Sequence, residues 1–155
     1  MRFGLLRVLL ASSLLVLVAV GGSQARNEEG DEVEFTDVRQ HTKEFMGYFQ
    51  TIKLTPEQEA VKREALSSLP AACCTNNSAY TCCCVCNLSR TVWGLSHHLI
   101  AERGFDAPAV RAAVVKWTSF VNPDGFSGNT CYTGGCGRSF AKSGCGGMRP
   151  NQVVW

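Results

Sequence analysis

The sequence predicts a mainly α fold: a small helical domain with an αα-hairpin, followed by an irregular segment rich in glycine and cysteine. Three observations predict it. Apolar residues recur at helical spacing in four separate windows. Several of those windows carry helix start or stop signals, among them a capping box and a glycine suited to a left-handed cap. Residues 128–148, GNTCYTGGCGRSFAKSGCGGM, are dominated by glycine, serine and threonine and cannot bury a core of their own.

The N-terminus reads as an export signal. Arg2 and Arg7 form a short basic region around the start of the apolar run Val8 to Val20. That run suits a signal-peptide core and is short for a bilayer span. Gly21-Gly22-Ser23-Gln24-Ala25 follows, with Ser23 and Ala25 as the small residues a signal peptidase requires, so cleavage is expected after Ala25. No basic flank follows the run, as an uncleaved anchor would carry, and no cysteine near the site offers a lipid anchor. Residues 1–25 are thus expected to be a signal peptide, the product periplasmic or extracellular, with no membrane span after cleavage. Arg2 and Arg7 are the basic residues of that signal, so all 13 acidic residues face 13 of the 15 basic ones in the exported chain. It is near neutral and lacks a basic stripe, so nucleic acid is not an expected partner. Residues 26–36, RNEEGDEVEFT, read as a flexible acidic leader, and 37–155 as a single cysteine-rich helical domain.

Within the domain, Val38, Phe45, Met46, Phe49 and Ile52 mark a first amphipathic helix. Thr55, Pro56 and Gln58 form the next start signal: a cap, a proline at the first helical position and a capping box. Glu57 and Glu59 suit the positive end of the dipole, Val61, Ala65 and Leu69 make the apolar stripe, and Pro70 ends the helix, predicting a span of 56–68. Polar residues Thr75 to Thr81 read as a loop. A third helix opens at Asn87 or Ser89 and closes at Gly104, with Leu88, Val92, Leu95 and Leu99 on one face. Asp106 and Pro108 start a fourth, with Val110, Val114, Trp117 and Val121 apolar, and Asn122-Pro123-Asp124-Gly125 stops it. The link at Gly104-Phe105 is short enough to make helices three and four an αα-hairpin. Trp93 and Trp117 are expected in the core.

Chemistry concentrates in Ala71 to Leu88, AACCTNNSAYTCCCVCNL, which holds six of the nine cysteines; Cys131, Cys136 and Cys145 lie in the C-terminal segment. Nine cysteines in an exported chain point first to disulfides, yet the odd count leaves at least one sulfur over. Adjacent cysteines such as Cys73 and Cys74 rarely bridge each other. If each C-terminal cysteine bridged forward, three front thiols would remain, enough for a soft-metal site. Cys82, Cys83, Cys84 and Cys86 lie at the mouth of a helix, where free N–H groups favour thiolate. Thiolates select Cu(I) or Zn(II). Cys82, Cys83, Cys84, Cys86, Cys73 and Cys74 are therefore the candidate metal ligands, with Cys131, Cys136, Cys145 and the thioether of Met148 as bridges or further ligands. Two other readings stand beside this one: a secreted, non-enzymatic module held by structural disulfides, and a disulfide-exchange protein using the Cys83/Cys86 C-x-x-C pair. His97 and His98 are not expected as ligands. Eleven residues separate Cys86 from His97, roughly 16 Å along a helix, and such surface histidines are usually solvated; His41 is treated alike. Asn76 and Asn87 open glycosylation patterns. No G-x-S-x-G, H-E-x-x-H, phosphate loop or dinucleotide fingerprint points to an enzyme.

The capped helix ending in Leu69-Pro70, followed by Ala71-Ala72-Cys73-Cys74 and further helices, resembles exported bacterial proteins named for a Pro-Cys-Tyr-Cys-Gly-Cys motif; the Tyr-Cys-Gly-Cys itself is absent here. The resemblance spans about residues 55–120 and implies an extracytoplasmic helical protein with a metal-related role. Cys83-Cys84-Val85-Cys86-Asn87 ahead of a helical hairpin also resembles the thiol proteins of cytochrome c maturation, which implies reduction of partner thiols through C-x-x-C. A metal ion, or a protein partner that handles metal or thiols, is the expected ligand.

Overall fold

A computed structural model describes residues 32–155. The expected signal peptide and the first part of the leader lie outside the described residues. Four helices and one small hairpin make up the domain: α1 (Val38–Thr51), α2 (Pro56–Ser67), β1 (Pro70–Ala71), β2 (Cys74–Ser78), α3 (Asn87–Ala101) and α4 (Ala107–Val121). The domain is mainly α, and its C-terminal segment has only short 3₁₀ turns at Thr130–Thr133, Gly135–Gly137 and Phe140–Lys142.

The helix starts follow local chemistry. Asp37 accepts from the Gln40 N–H at 2.8 Å to open α1. Thr55 and Gln58 close the capping box of α2, with Pro56 at its first turn. Asp106 caps α4 through the Ala109 N–H at 3.0 Å. Gly104, with φ of 65°, supplies the left-handed turn that sends the chain from α3 into α4.

Helix α3 is the centre of the fold, packed by α1, α2 and α4. Leu88, Val92, Leu95 and Leu99 are buried, and so are Thr91, Ser96 and His97. The polar members are satisfied: Thr91 Oγ1 accepts the Trp117 indole N–H at 2.9 Å, and Ser96 donates to Val92 O. Gly94 lets α1 approach; a Cβ there would lie 1.7 Å from the Phe45 carbonyl oxygen. Trp117 is fully buried beneath Phe45, their ring centroids 5.0 Å apart. In α2 the buried set is Lys62, Ala65 and Leu66, so the stripe is turned from the expected Val61–Ala65–Leu69 line. Val61 and Leu69 pack at its margin.

Two segments expected to be irregular are ordered against the domain. Within the acidic leader, residues 32–36 pack down: the Phe35 ring stands 5.2 Å from that of Trp117, and the Thr36 N–H donates to His41 Nε2 at 3.2 Å. The stretch read as a loop from Thr75 is instead mostly strand, with β2 antiparallel to β1 and the chain turning at Ala72-Cys73. Its polar composition gives no apolar alternation, but the strand is held through backbone: the Thr75 N–H donates to Gly128 O at 2.7 Å, and the Cys131 N–H to Cys73 O at 3.0 Å. Tertiary hydrogen bonding has overridden local propensity.

Candidate metal centre

Three stretches of chain converge at the N-terminus of α3: the hairpin turn with Cys73 and Cys74, the run Cys82 to Cys86, and the C-terminal turns with Cys131, Cys136 and Cys145. Backbone contacts and buried side chains dock the last stretch. The Asn87 N–H donates to Gly147 O at 2.9 Å, the Leu88 N–H to Cys145 O at 3.0 Å, and the Cys145 N–H to Gly135 O at 2.9 Å. The fully buried Asn87 amide adds bonds to Gly146 O at 2.8 Å and Arg149 O at 3.0 Å. Phe140 is buried beneath Gly146, where a Cβ would lie 2.3 Å from its ring. Hydrogen bonds and Phe140 thus dock this glycine-rich segment, and no two of the nine cysteine sulfurs stand at disulfide-bonding distance. Trp155 closes the end, its ring edge-on to Phe140 and beneath the Arg39 guanidinium.

The sulfurs form four overlapping groups, and within each group every pair lies inside 4.8 Å. The inner group is Cys73, Cys82, Cys84 and Cys86; a second joins Cys73 to Cys131 and Cys145; a third joins Cys84 to Cys131 and Cys136; the outer group is Cys74, Cys83 and Cys131. Cys131 Sγ stands 3.4 Å from Cys73 Sγ, 3.7 Å from Cys83 Sγ and 3.9 Å from Cys84 Sγ. A disulfide needs about 2.05 Å. Two sulfurs bound at about 2.3 Å to one tetrahedral ion stand about 3.8 Å apart. The observed spacing matches the shared ion.

The contiguous set Cys82, Cys83, Cys84 and Cys86 is not one group. Burial alternates along the run: Cys82, Cys84 and Cys86 turn inward, while Cys83 and Val85 are exposed. Cys73 takes the place of Cys83 in the inner group, and Cys83 joins Cys74 in the outer one. The signal was present in the sequence as C-x-C-x-C, since alternate residues of extended chain share a side.

Hydrogen bonding among the thiols separates their acidities. Bonds from Cys145, Cys73 and Cys82 hold Cys86 well below the usual thiol range, against its burial. Cys73 is pushed up chiefly by its bond to Cys145, and Cys82 chiefly by its bond to Cys73. Burial raises Cys84 and Cys136. Partial desolvation and Cys131 push Cys83 up to about 11. Cys74 is lowered to about 7 by the Asn77 amide, 3.3 Å from its sulfur, and the Tyr132 hydroxyl at 3.7 Å. The helix terminus contributes less than its position suggests. Cys86 is the N-cap residue but makes no capping bond, and carbonyls of the C-terminal segment take the first N–H groups of α3. A cation entering the cluster must displace the proton of each thiol that binds it.

The remaining candidates lie elsewhere. Met148 is 44% exposed, and its carbonyl accepts from Arg90. His97 is buried, not solvated as expected: Nδ1 donates to Ile52 O at 3.0 Å, and Nε2 accepts from Lys62 Nζ at 3.1 Å. A carbonyl only accepts and an ammonium only donates, which sets the tautomer. His98 stacks on Tyr48 and pairs with Glu102, and His41 stacks on Phe45. Asn87, read as a glycosylation site, is buried and its amide is already hydrogen bonded, whereas Asn76 is exposed. An apolar cleft of about 410 Å³ lies beside the inner group, lined among others by Cys73, Cys82, Cys86, Val92 and Val114. Among the described residues no helix is long and apolar enough to cross a membrane. No protein-family model, curated relative or solved structure matches the chain.

Proposed function

We propose that the chain is an exported protein that holds a soft metal ion, Cu(I) or Zn(II), through clustered thiolates, and exchanges it with a metal- or thiol-handling partner. One observation carries the reading: sulfurs from three distant stretches of chain overlap in groups whose spacing suits a shared ion rather than a disulfide. Sulfur-only ligation selects soft d¹⁰ ions over hard ones. The scaffold also supports it, because Asn87 and the backbone bonds hold the sulfurs in place before any ion binds. Export rests on the apolar run and the Ser23–Ala25 cleavage pattern. N-terminal sequencing of the protein from its own compartment is expected to start at Arg26; an uncut chain in the cytoplasm would overturn that part.

The deciding experiment counts free thiols and bound metal on one sample purified from that compartment. Several reduced thiols with stoichiometric copper or zinc are expected. Eight oxidised cysteines without metal would instead establish the second reading, a module held by structural disulfides. Disulfide exchange has weaker support. Cys83, the exposed half of the C-x-x-C pair, has its pKa pushed up to about 11 by desolvation and Cys131, away from the thiolate that exchange requires.

A further inference from the structure

We infer that the cluster takes at least two soft ions bridged by shared thiolates, with Cys131 as the principal bridge. The inference rests on the soft-metal reading above and deepens it. One tetrahedral ion uses at most four sulfurs. Yet the four groups between them include all nine cysteines, and no cysteine stands apart. Three sulfurs belong to more than one group: Cys73 and Cys84 to two each, and Cys131 to three. A thiolate sulfur has lone pairs enough for two metal bonds, so a sulfur shared between groups is placed to bridge. Cys131 lies within 3.4 to 3.9 Å of Cys73, Cys83 and Cys84, one from the hairpin turn and two from the run before α3. It is where the inner and outer groups meet.

Bridging also answers a charge problem. Nine separate thiolates in a partly buried cluster would repel strongly. Cations set between shared sulfurs offset more of that charge, because sharing lets nine thiolates coordinate more ions than terminal ligation at four sulfurs per ion would. Loading is ligand substitution without redox change: each thiol that becomes a ligand releases its proton to solvent as the metal–sulfur bond forms, and the incoming ion sheds its water or carrier ligands. The two ends differ in access. Cys73 and Cys86 are buried within the inner group, whereas Cys83 of the outer group is exposed. Ions are therefore expected to exchange first at the outer end.

Titration of the reduced protein with Co(II) under anaerobic conditions, read by native mass spectrometry and electron paramagnetic resonance, tests this. At least two ions per chain are expected. The high-spin Co(II) signal should grow with the first equivalent and then fall as thiolate-bridged neighbours couple. Cys131→Ser should bind at least one ion fewer and lose the fall in signal; Cys83→Ser, which removes a ligand belonging to the outer group alone, should weaken uptake of the last ion while the fall in signal persists at higher Co(II). Should Cys131→Ser fail to fold, the wild-type titration decides alone. A single ion per chain, or several whose signals simply add, overturns the bridged cluster and leaves the metal reading standing. No binding of Co(II), Zn(II) or Cu(I) overturns both.

Discussion

Replacing Asn87 by alanine separates the scaffold from the sulfurs it serves. The Asn87 amide donates to Gly146 O and Arg149 O, and its carbonyl accepts from Arg90 Nη1 at 2.9 Å. The side chain is fully buried. Alanine removes two buried hydrogen bonds that tie α3 to the C-terminal segment, leaving Gly146 O with the Val154 N–H alone and Arg149 O with the Gln152 N–H alone. At about 1 to 1.5 kcal/mol for each hydrogen bond the loss is about 2 to 3 kcal/mol. That loss falls on the docking of residues 144–149, so it should appear in the metal affinity of the group that includes Cys145. About 1.4 kcal/mol corresponds to tenfold, giving a weakening of about 30- to 140-fold, at the upper end of the effect of partners that hold metal ligands in place. Competition against a chromophoric chelator measures it directly. Amide exchange at Leu88 and Cys145, whose N–H groups bond Cys145 O and Gly135 O, should quicken in the same variant. If Asn87→Ala binds metal like the wild type while its C-terminal segment is loosened, the sulfurs of that segment are not ligands.

Three further outcomes follow from the same contacts. Gly94→Ala puts a Cβ 1.7 Å from Phe45 O and 2.9 Å from Phe49 N, so α1 must move away. A net loss of about 2 kcal/mol is expected in urea unfolding after the helix-propensity gain of about 1 kcal/mol. Metal stoichiometry should be unchanged, since Gly94 lies about 12 Å along the helix from Cys86. His97 is held below its ordinary pKa by burial and by Lys62, with Lys53 adding to the shift and Glu59 and the Ile52 carbonyl opposing it. Its contribution to stability is fully present above the unfolded value of about 6.5 and is lost as pH falls through the folded value. Denaturant titrations from pH 7.5 down to pH 5 should therefore show a smaller decline for His97→Gln than for wild type; equal slopes would contradict the assignment. Loading with metal at about 1,000 times its dissociation constant should stabilise the fold by about 4 kcal/mol, reversed by a thiol-competitive chelator; an unchanged melting temperature would mean that unfolded and folded chains bind alike.

Much of the helical frame was legible because its signals are local. Thr55-Pro56-Gln58, Gly104 and Asp106-Pro108 act within one turn of where they stand, and each appears in the role its sequence implies. The site was legible in kind but not in pairing. The density of cysteines announced sulfur chemistry, whereas the exchange of Cys83 for Cys73 depends on the alternating exposure of residues 82–86 and on a hairpin turn. That hairpin was hidden because Thr75, Asn76 and Asn77 carry no apolar alternation, and the carbonyl that orders Thr75 comes from Gly128, far along the chain. His97 was misjudged for the same reason: its partners, Ile52 O and Lys62, belong to elements remote in sequence, and Lys62 sits on a face of α2 that a purely apolar stripe would not assign inward.

X-ray absorption at the zinc edge of the loaded protein examines the central claim at the atoms concerned. A first shell of sulfur alone, at about 2.3 Å, is the predicted result. A shell of nitrogen or oxygen near 2.0 to 2.1 Å would contradict it, because it would place the ion on groups other than these nine thiols.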